Sequence, residues 1–134
     1  MKLHHIGKVV KDLDEAVAYY KETFGLEAVG ERVVDPIQQV EVVLIDIGFG
    51  AKATIELIRP MGEKSPVARF LNKTGGGLHH LSFEVPDIGK AITDLESKGA
   101  KALGNVVPSA AHKSASVWLY TASRELIELI ESKE

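Results

Sequence analysis

The chain alternates short β-branched runs with helical stretches, and it runs through the same order twice. Residues 3–10 read as a strand, and Asp12-Leu13-Asp14 opens a helical stretch that lasts to about Phe24. Leu13, Ala16, Val17, Tyr20 and Phe24 recur at helical spacing, and Gly25 is a natural stop. Extended segments follow at about 27–34, 40–47 and 53–58, with Pro36 between the first two and a Gly48-Phe49-Gly50 turn between the last two. The second half starts with a strand over 78–85. Pro86-Asp87-Ile88 then leads into a helix whose buried face is Ile88, Ala91, Ile92 and Leu95, closed by Lys98-Gly99. Strands are expected near 102–107, 116–120 and 126–130.

Each half is therefore a βαβββ unit, and the duplication reaches individual residues. Leu3-His4-His5-Ile6 returns as Leu78-His79-His80-Leu81, 75 residues on (80 − 5). Ile55-Glu56-Leu57-Ile58 returns unchanged as Ile127-Glu128-Leu129-Ile130, 72 residues on (128 − 56). The expected fold is α+β, with two pseudo-symmetric βαβββ modules forming a concave, metal-binding sheet surface and helices outside. It is read as one domain over residues 1–134, with repeat 1 at about 1–60 and repeat 2 at about 77–131. A linking helix is expected at about 65–74, with Ser65 as N-cap and Pro66 in its first turn, and Gly75-Gly76-Gly77 resets the chain. Strand parity puts Leu81, Phe83 and Val85 on one face and His80, Ser82 and Glu84 on the other. Gly7 stands two residues beyond His5 as Ser82 stands beyond His80, so each His has a small neighbour on its face.

Composition narrows the choice of function. At 134 residues, 45% hydrophobic and 26% charged, the chain can bury a real core. A formal charge of −3 gives no basic face for nucleic acid. Without cysteine there is no disulfide, thiolate ligand or thiol nucleophile. No apolar run approaches the roughly 18–20 residues of a bilayer span, so a cytoplasmic protein that does not enter a membrane is expected.

The copied residues carry the candidate chemistry. Two half-sites, each with an imidazole and a carboxylate, can close around one divalent ion and leave positions open for water or substrate. The ligand set is His5, Glu56, His80 and Glu128, and it suits Zn, Ni, Co, Mn or Fe. Taken singly, a strand histidine is usually structural, and a glutamate alternating with apolar residues usually faces solvent. The recurrence of both on equivalent strands outweighs that reading. His4 and His79, on the opposite faces, read as structural.

The doubled pattern with His5, Glu56, His80 and Glu128 resembles the vicinal oxygen chelate (glyoxalase) superfamily across nearly the whole chain. The Ser65-Pro66-Val67-Ala68-Arg69-Phe70-Leu71 stretch, Gly77-Leu78-His79-His80 and Phe83-Glu84-Val85 look like the methylmalonyl-CoA epimerases. The resemblance implies one divalent metal ion held by those four residues, a homodimer, and proton transfer at a carbon next to an enolate. Metal charge lowers the barrier to such an enolate, and a placed carboxylate adds about 10²–10⁴-fold. Glu128 and Glu56 are the candidate bases. Some epimerases carry a further glutamate in the third strand, and Glu41 lies near that place. The substrate is then an acyl-CoA thioester. Alternatives are a glutathione hemithioacetal, as in lactoylglutathione lyase (glyoxalase I), or a non-enzymatic small-ligand binder. Tyr120-Thr121-Ala122-Ser123-Arg124 departs from the epimerase His-Pro-Lys loop, and Lys113 follows Ala111-His112 where the epimerases have glycine. His112, Lys113, Arg69 and Lys73 read as surface groups, and Trp118 as a core or subunit-contact residue.

Overall fold

In a computed structural model, which describes residues 1–48 and 50–133, the chain is α+β, with nine strands and three helices among the described residues. It divides into two compact units: residues 5–79, and residues 80–134 together with residues 1–4. Each contains most of one copy of the repeat, with the first residues of each copy, 1–4 and 77–79, clustering with the other unit.

The 5–79 unit begins on β1 (Lys2–Val9), followed by α1 (Leu13–Phe24), β2 (Ala28–Asp35), β3 (Val40–Asp46) and β4 (Thr54–Pro60). Its strands lie in the order β2-β3-β4-β1. The β1–β4 pair is parallel and the other two are antiparallel. The Asp12 carboxylate caps α1 by accepting from the Glu15 N–H at 3.0 Å. Gly25, at φ 69°, returns its N–H to the Lys21 carbonyl. Leu13, Ala16, Val17 and Tyr20 pack against Val43, Ile45, Ile55 and Leu57. Phe24, expected on that face, is 57% exposed and lies beside Tyr19 and Tyr20 at the helix end. The expected Gly48-Phe49-Gly50 turn includes Phe49, outside the described residues. Gly48 and Gly50 both adopt positive φ.

Helix α2 (Pro66–Thr74) follows, with Ser65 at the N-cap position. The hydroxyl does not cap as expected; it donates to the Gln38 carbonyl at 3.4 Å. Beyond α2, Gly76 sits at φ 103°, where a Cβ would come within 2.7 Å of the Val9 carbonyl oxygen. Only glycine lets the chain pass β1 that closely.

The other unit contains β5 (Gly77–Val85) from His80 onward, α3 (Ile88–Ser97), β6 (Lys101–Ala102), β7 (Val107–Ser109), β8 (Ser114–Tyr120) and β9 (Leu126–Glu131). Its strand order is β5-β9-β8-β6, with β7 also on β8. The α3 face is as the periodicity predicts: Ile88, Ala91, Ile92 and Leu95 meet Val117, Leu119, Ile127 and Leu129. Asp87 caps α3 through the Lys90 N–H, and Glu131 Oε2 accepts from the Ile88 N–H at 2.9 Å. The Glu131 backbone carbonyl accepts from the Ser114 hydroxyl, and the Ser132 N–H reaches the Val85 carbonyl. The strand expected over 102–107 is two short pieces, because Gly104-Asn105 interrupts a line whose two ends both pair with β8. The β2–β3 register shifts at the comparable place, between Val29 and Val33.

Candidate active site

In the 5–79 unit, β1 buries His5, Gly7 and Val9 along one face. Gly7 pairs in register with Glu56, and Glu56 pairs across β3 with Leu44, so His5, Glu56, Leu44 and Val42 share a face turned away from α1. His5 Nε2 lies 3.6 Å from Glu56 Oε1, with His5 fully buried and Glu56 6% exposed. A carboxylate so buried needs a cationic or hydrogen-bonding partner.

The 80–134 unit repeats this geometry. Ser82 pairs with Glu128 as Gly7 pairs with Glu56, and His80 Nε2 lies 4.0 Å from Glu128 Oε1. His80 is 5% and Glu128 3% exposed. Ser82 is fully buried, and its hydroxyl has no hydrogen-bond partner among the described residues. A buried hydroxyl without a partner is costly, and a site that receives a polar ligand is where such a cost is tolerated. Each buried imidazole–carboxylate pair is the donor chemistry that a borderline divalent ion takes.

Glu41 is not on this face. It pairs across β3–β4 with Arg59, in step with Val43–Leu57 and Ile45–Ile55, which pack on α1. Its carboxylate accepts from Arg59 Nη2 at 3.0 Å and Nε at 3.3 Å. The expectation that Glu41 is catalytic is therefore corrected: one step of strand parity turns it to the helix side. The third-strand residues beside Glu56 are the aliphatic Val42 and Leu44.

Trp118 also departs from expectation. It pairs with Glu128 across β8–β9, and its ring meets His80 edge-on at 4.6 Å. Parity could have found it, because buried Val117 and Leu119 on the α3 side leave Trp118 on the other face. His79 lies edge-on to Phe70 at 4.9 Å, and burial lowers its pKa from 6.5. His112 follows β7 in a turn, donates its backbone N–H to the Ser109 hydroxyl, and meets His4 edge-on at 4.8 Å. Arg69, Lys73 and Lys113 are exposed, as expected of surface groups.

Residues 4–120 match the family described as the Glyoxalase/Bleomycin resistance protein/Dioxygenase superfamily. The chain is 37% identical over 120 residues to human mitochondrial methylmalonyl-CoA epimerase, an alignment covering 89% of this chain and 66% of that protein, so the chain spans just under two thirds of it. It is 39% identical over 121 residues to the ethylmalonyl-CoA/methylmalonyl-CoA epimerase of Cereibacter sphaeroides, covering 89% and 87% of the two chains. The crystal structure of methylmalonyl-CoA epimerase from Mycobacterium tuberculosis superposes with a TM-score of 0.88 at 29% identity, over 99% of this chain and 89% of that one. No described helix is long and apolar enough to cross a membrane. With its repeated strand order, its matched His–Glu pairs and these relatives, the chain belongs to the Glyoxalase/Bleomycin resistance protein/Dioxygenase superfamily and groups there with the methylmalonyl-CoA epimerases.

Proposed function

We propose that the chain is a divalent-metal-dependent epimerase of branched malonyl-type acyl-CoA thioesters, with His5, Glu56, His80 and Glu128 holding one ion. The observation that carries this reading is the repeated register. Each unit buries one histidine and one glutamate on a single strand face, with nitrogen and oxygen 3.6 Å and 4.0 Å apart. Epimerase relatives at 37% and 39% identity support the acyl-CoA class.

An ion bound by these residues supplies Lewis-acid charge against the oxyanion that develops when the C–H beside a thioester carbonyl is deprotonated. The chain's own residues supply the rest. Glu128 and Glu56 are the carboxylates on the two site-facing strands, and one or both take the α-proton and return it to the opposite face of the carbon. Burial keeps bulk water from competing for that proton and strengthens each electrostatic contact. Val42 and Leu44 offer an apolar surface beside Glu56, and Ser82 and Trp118 offer a hydroxyl and an aromatic ring beside His80 and Glu128. The protein works as a cytoplasmic homodimer in this reading. Leu3 and Leu78, at repeat-related positions, are 41% and 74% exposed and give apolar surface for self-association.

The test is incubation of the metal-loaded protein with methylmalonyl-CoA in D₂O. Exchange of the α-proton at a catalytic rate, abolished in His80→Gln together with metal content, is the expected result. Consumption of the glutathione–methylglyoxal hemithioacetal without exchange into the thioester would replace this reading with a lactoylglutathione lyase.

A further inference from the structure

Strand register turns the site face of the 5–79 unit into a small grid. The β1–β4 pair sets His5 beside Thr54, Gly7 beside Glu56 and Val9 beside Ile58. On the other side of β4, β3 sets Asp46 beside Thr54, Leu44 beside Glu56 and Val42 beside Ile58. Side chains paired in this way point to the same side of the sheet. The row of Val9, Ile58 and Val42 is buried, so its surface is already covered. In the row of Glu56, Gly7 has no side chain and Leu44 is half-buried, with part of its surface open. The row of Thr54 is polar: its hydroxyl has no hydrogen-bond partner among the described residues, and the Asp46 carboxylate accepts from the Gly48 N–H at 2.8 Å. Of the aliphatic side chains around Glu56 in this grid, Leu44 is the one with surface left to offer.

Building on the acyl-CoA epimerase reading above, we propose that Leu44 receives the α-alkyl group of the substrate and limits its length. In that reaction the α-carbon loses its proton and regains it on the opposite face, while the thioester, carboxylate and alkyl groups stay attached. Glu56, as ligand or base, adjoins the reacting carbon, so the alkyl group on that carbon reaches the neighbours of Glu56. The covered row has no surface to give. An alkyl group laid over the Thr54 hydroxyl would hold a polar group away from water without a partner. Leu44 serves both enantiomers, because only the proton changes face. On the side away from Glu56, Leu44 pairs with the exposed Val29. Shortening Leu44 therefore extends the apolar recess toward Val29, and enlarging it fills the recess.

The test is α-proton exchange in D₂O with methylmalonyl-, ethylmalonyl- and n-butylmalonyl-CoA, catalysed by metal-loaded wild type, Leu44→Ala and Leu44→Phe. Ratios of kcat/KM taken within each protein cancel any loss of folded or metal-loaded enzyme. Leu44→Ala should raise the butyl-to-methyl ratio by about tenfold or more, and Leu44→Phe should lower the ethyl-to-methyl ratio by about tenfold. Ratios within about twofold of wild type in both variants, with wild type active, overturn the assignment of Leu44 and leave the epimerase reading standing. Absence of exchange with all three thioesters in wild type overturns that reading, and the role of Leu44 with it.

Discussion

The Glu41 carboxylate is clasped by the Arg59 guanidinium, with Nη2 at 3.0 Å and Nε at 3.3 Å, on the side of β3 that faces α1. That pair is partly exposed, so its worth is that of a screened surface ion pair, about 0.2–1 kcal/mol. Glu41→Gln should lower stability by no more than that and leave kcat within about twofold. Denaturant midpoints and initial rates check both. A tenfold fall in kcat at unchanged stability would place Glu41 in the chemistry after all.

The two site glutamates should separate kinetically. Glu56→Gln and Glu128→Gln each keep size and lose the carboxylate charge, so both should weaken metal binding. The variant that removes the base should also depress proton exchange by about 10²–10⁴-fold when measured at saturating metal. Equal losses in both variants would mean that each carboxylate serves one face of the carbon.

Ser82 is buried with no hydrogen-bond partner for its hydroxyl among the described residues. Ser82→Ala should therefore stabilise the ligand-free protein, by about 1 kcal/mol. If the hydroxyl serves a ligand, KM should rise in the same variant. A fall in melting temperature would show that the hydroxyl is already satisfied.

Gly76 combines a positive φ with a backbone oxygen 2.7 Å from where a Cβ would stand. Gly76→Ala should cost about 1–3 kcal/mol from backbone strain, with the close approach to Val9 adding to it. Chemical denaturation checks this, and a change below about 0.5 kcal/mol would mean that the crossing has room to relax.

Burial lowers the pKa of His79 below 6.5, so the unfolded chain binds its proton more readily than the folded one. Stability from this group is then complete above pH 6.5, falls as pH drops through that value and levels off below the folded pKa. Metal-stripped wild type should lose more stability between pH 7 and 5 than His79→Gln does. Parallel slopes in urea titrations at several pH values would remove His79 from the acid response.

Strand parity and helical period carried most of the fold. The buried face of α3, the two helix starts at Asp12 and Asp87 and the shared face of His80 and Ser82 follow from spacing alone. So do the matched His5–Glu56 and His80–Glu128 pairs, because the repeated Ile-Glu-Leu-Ile strands and the nearly copied histidine strands take the same register in both units. What spacing could not supply was register on strands without a strong marker. In β3 every residue but Glu41 and Asp46 is aliphatic, so nothing in the run says which face is inside until its pairing with β4 is known. Trp118 was legible in principle from its neighbours, but the general tendency of tryptophan to pack in cores pointed the other way. The broken β6–β7 line turns on a Gly-Asn pair inside an apolar stretch, a weaker stop signal than proline.

The membership of residues 1–4 in the same compact unit as residues 80–134 bears on how the protein is made. Residues 5–79 are continuous in sequence, so every contact inside that unit is available once residue 79 has been made. Residues 1–4 cluster with residues 80–134, so their unit is complete only when that later stretch has been made, as far as β9, whose Glu131 fastens α3 and the start of β8. At synthesis rates of about 5–20 residues per second that wait lasts roughly 6–25 s. For that interval residues 1–4 wait for the stretch with which they cluster, while their immediate neighbours from residue 5 onward find partners sooner.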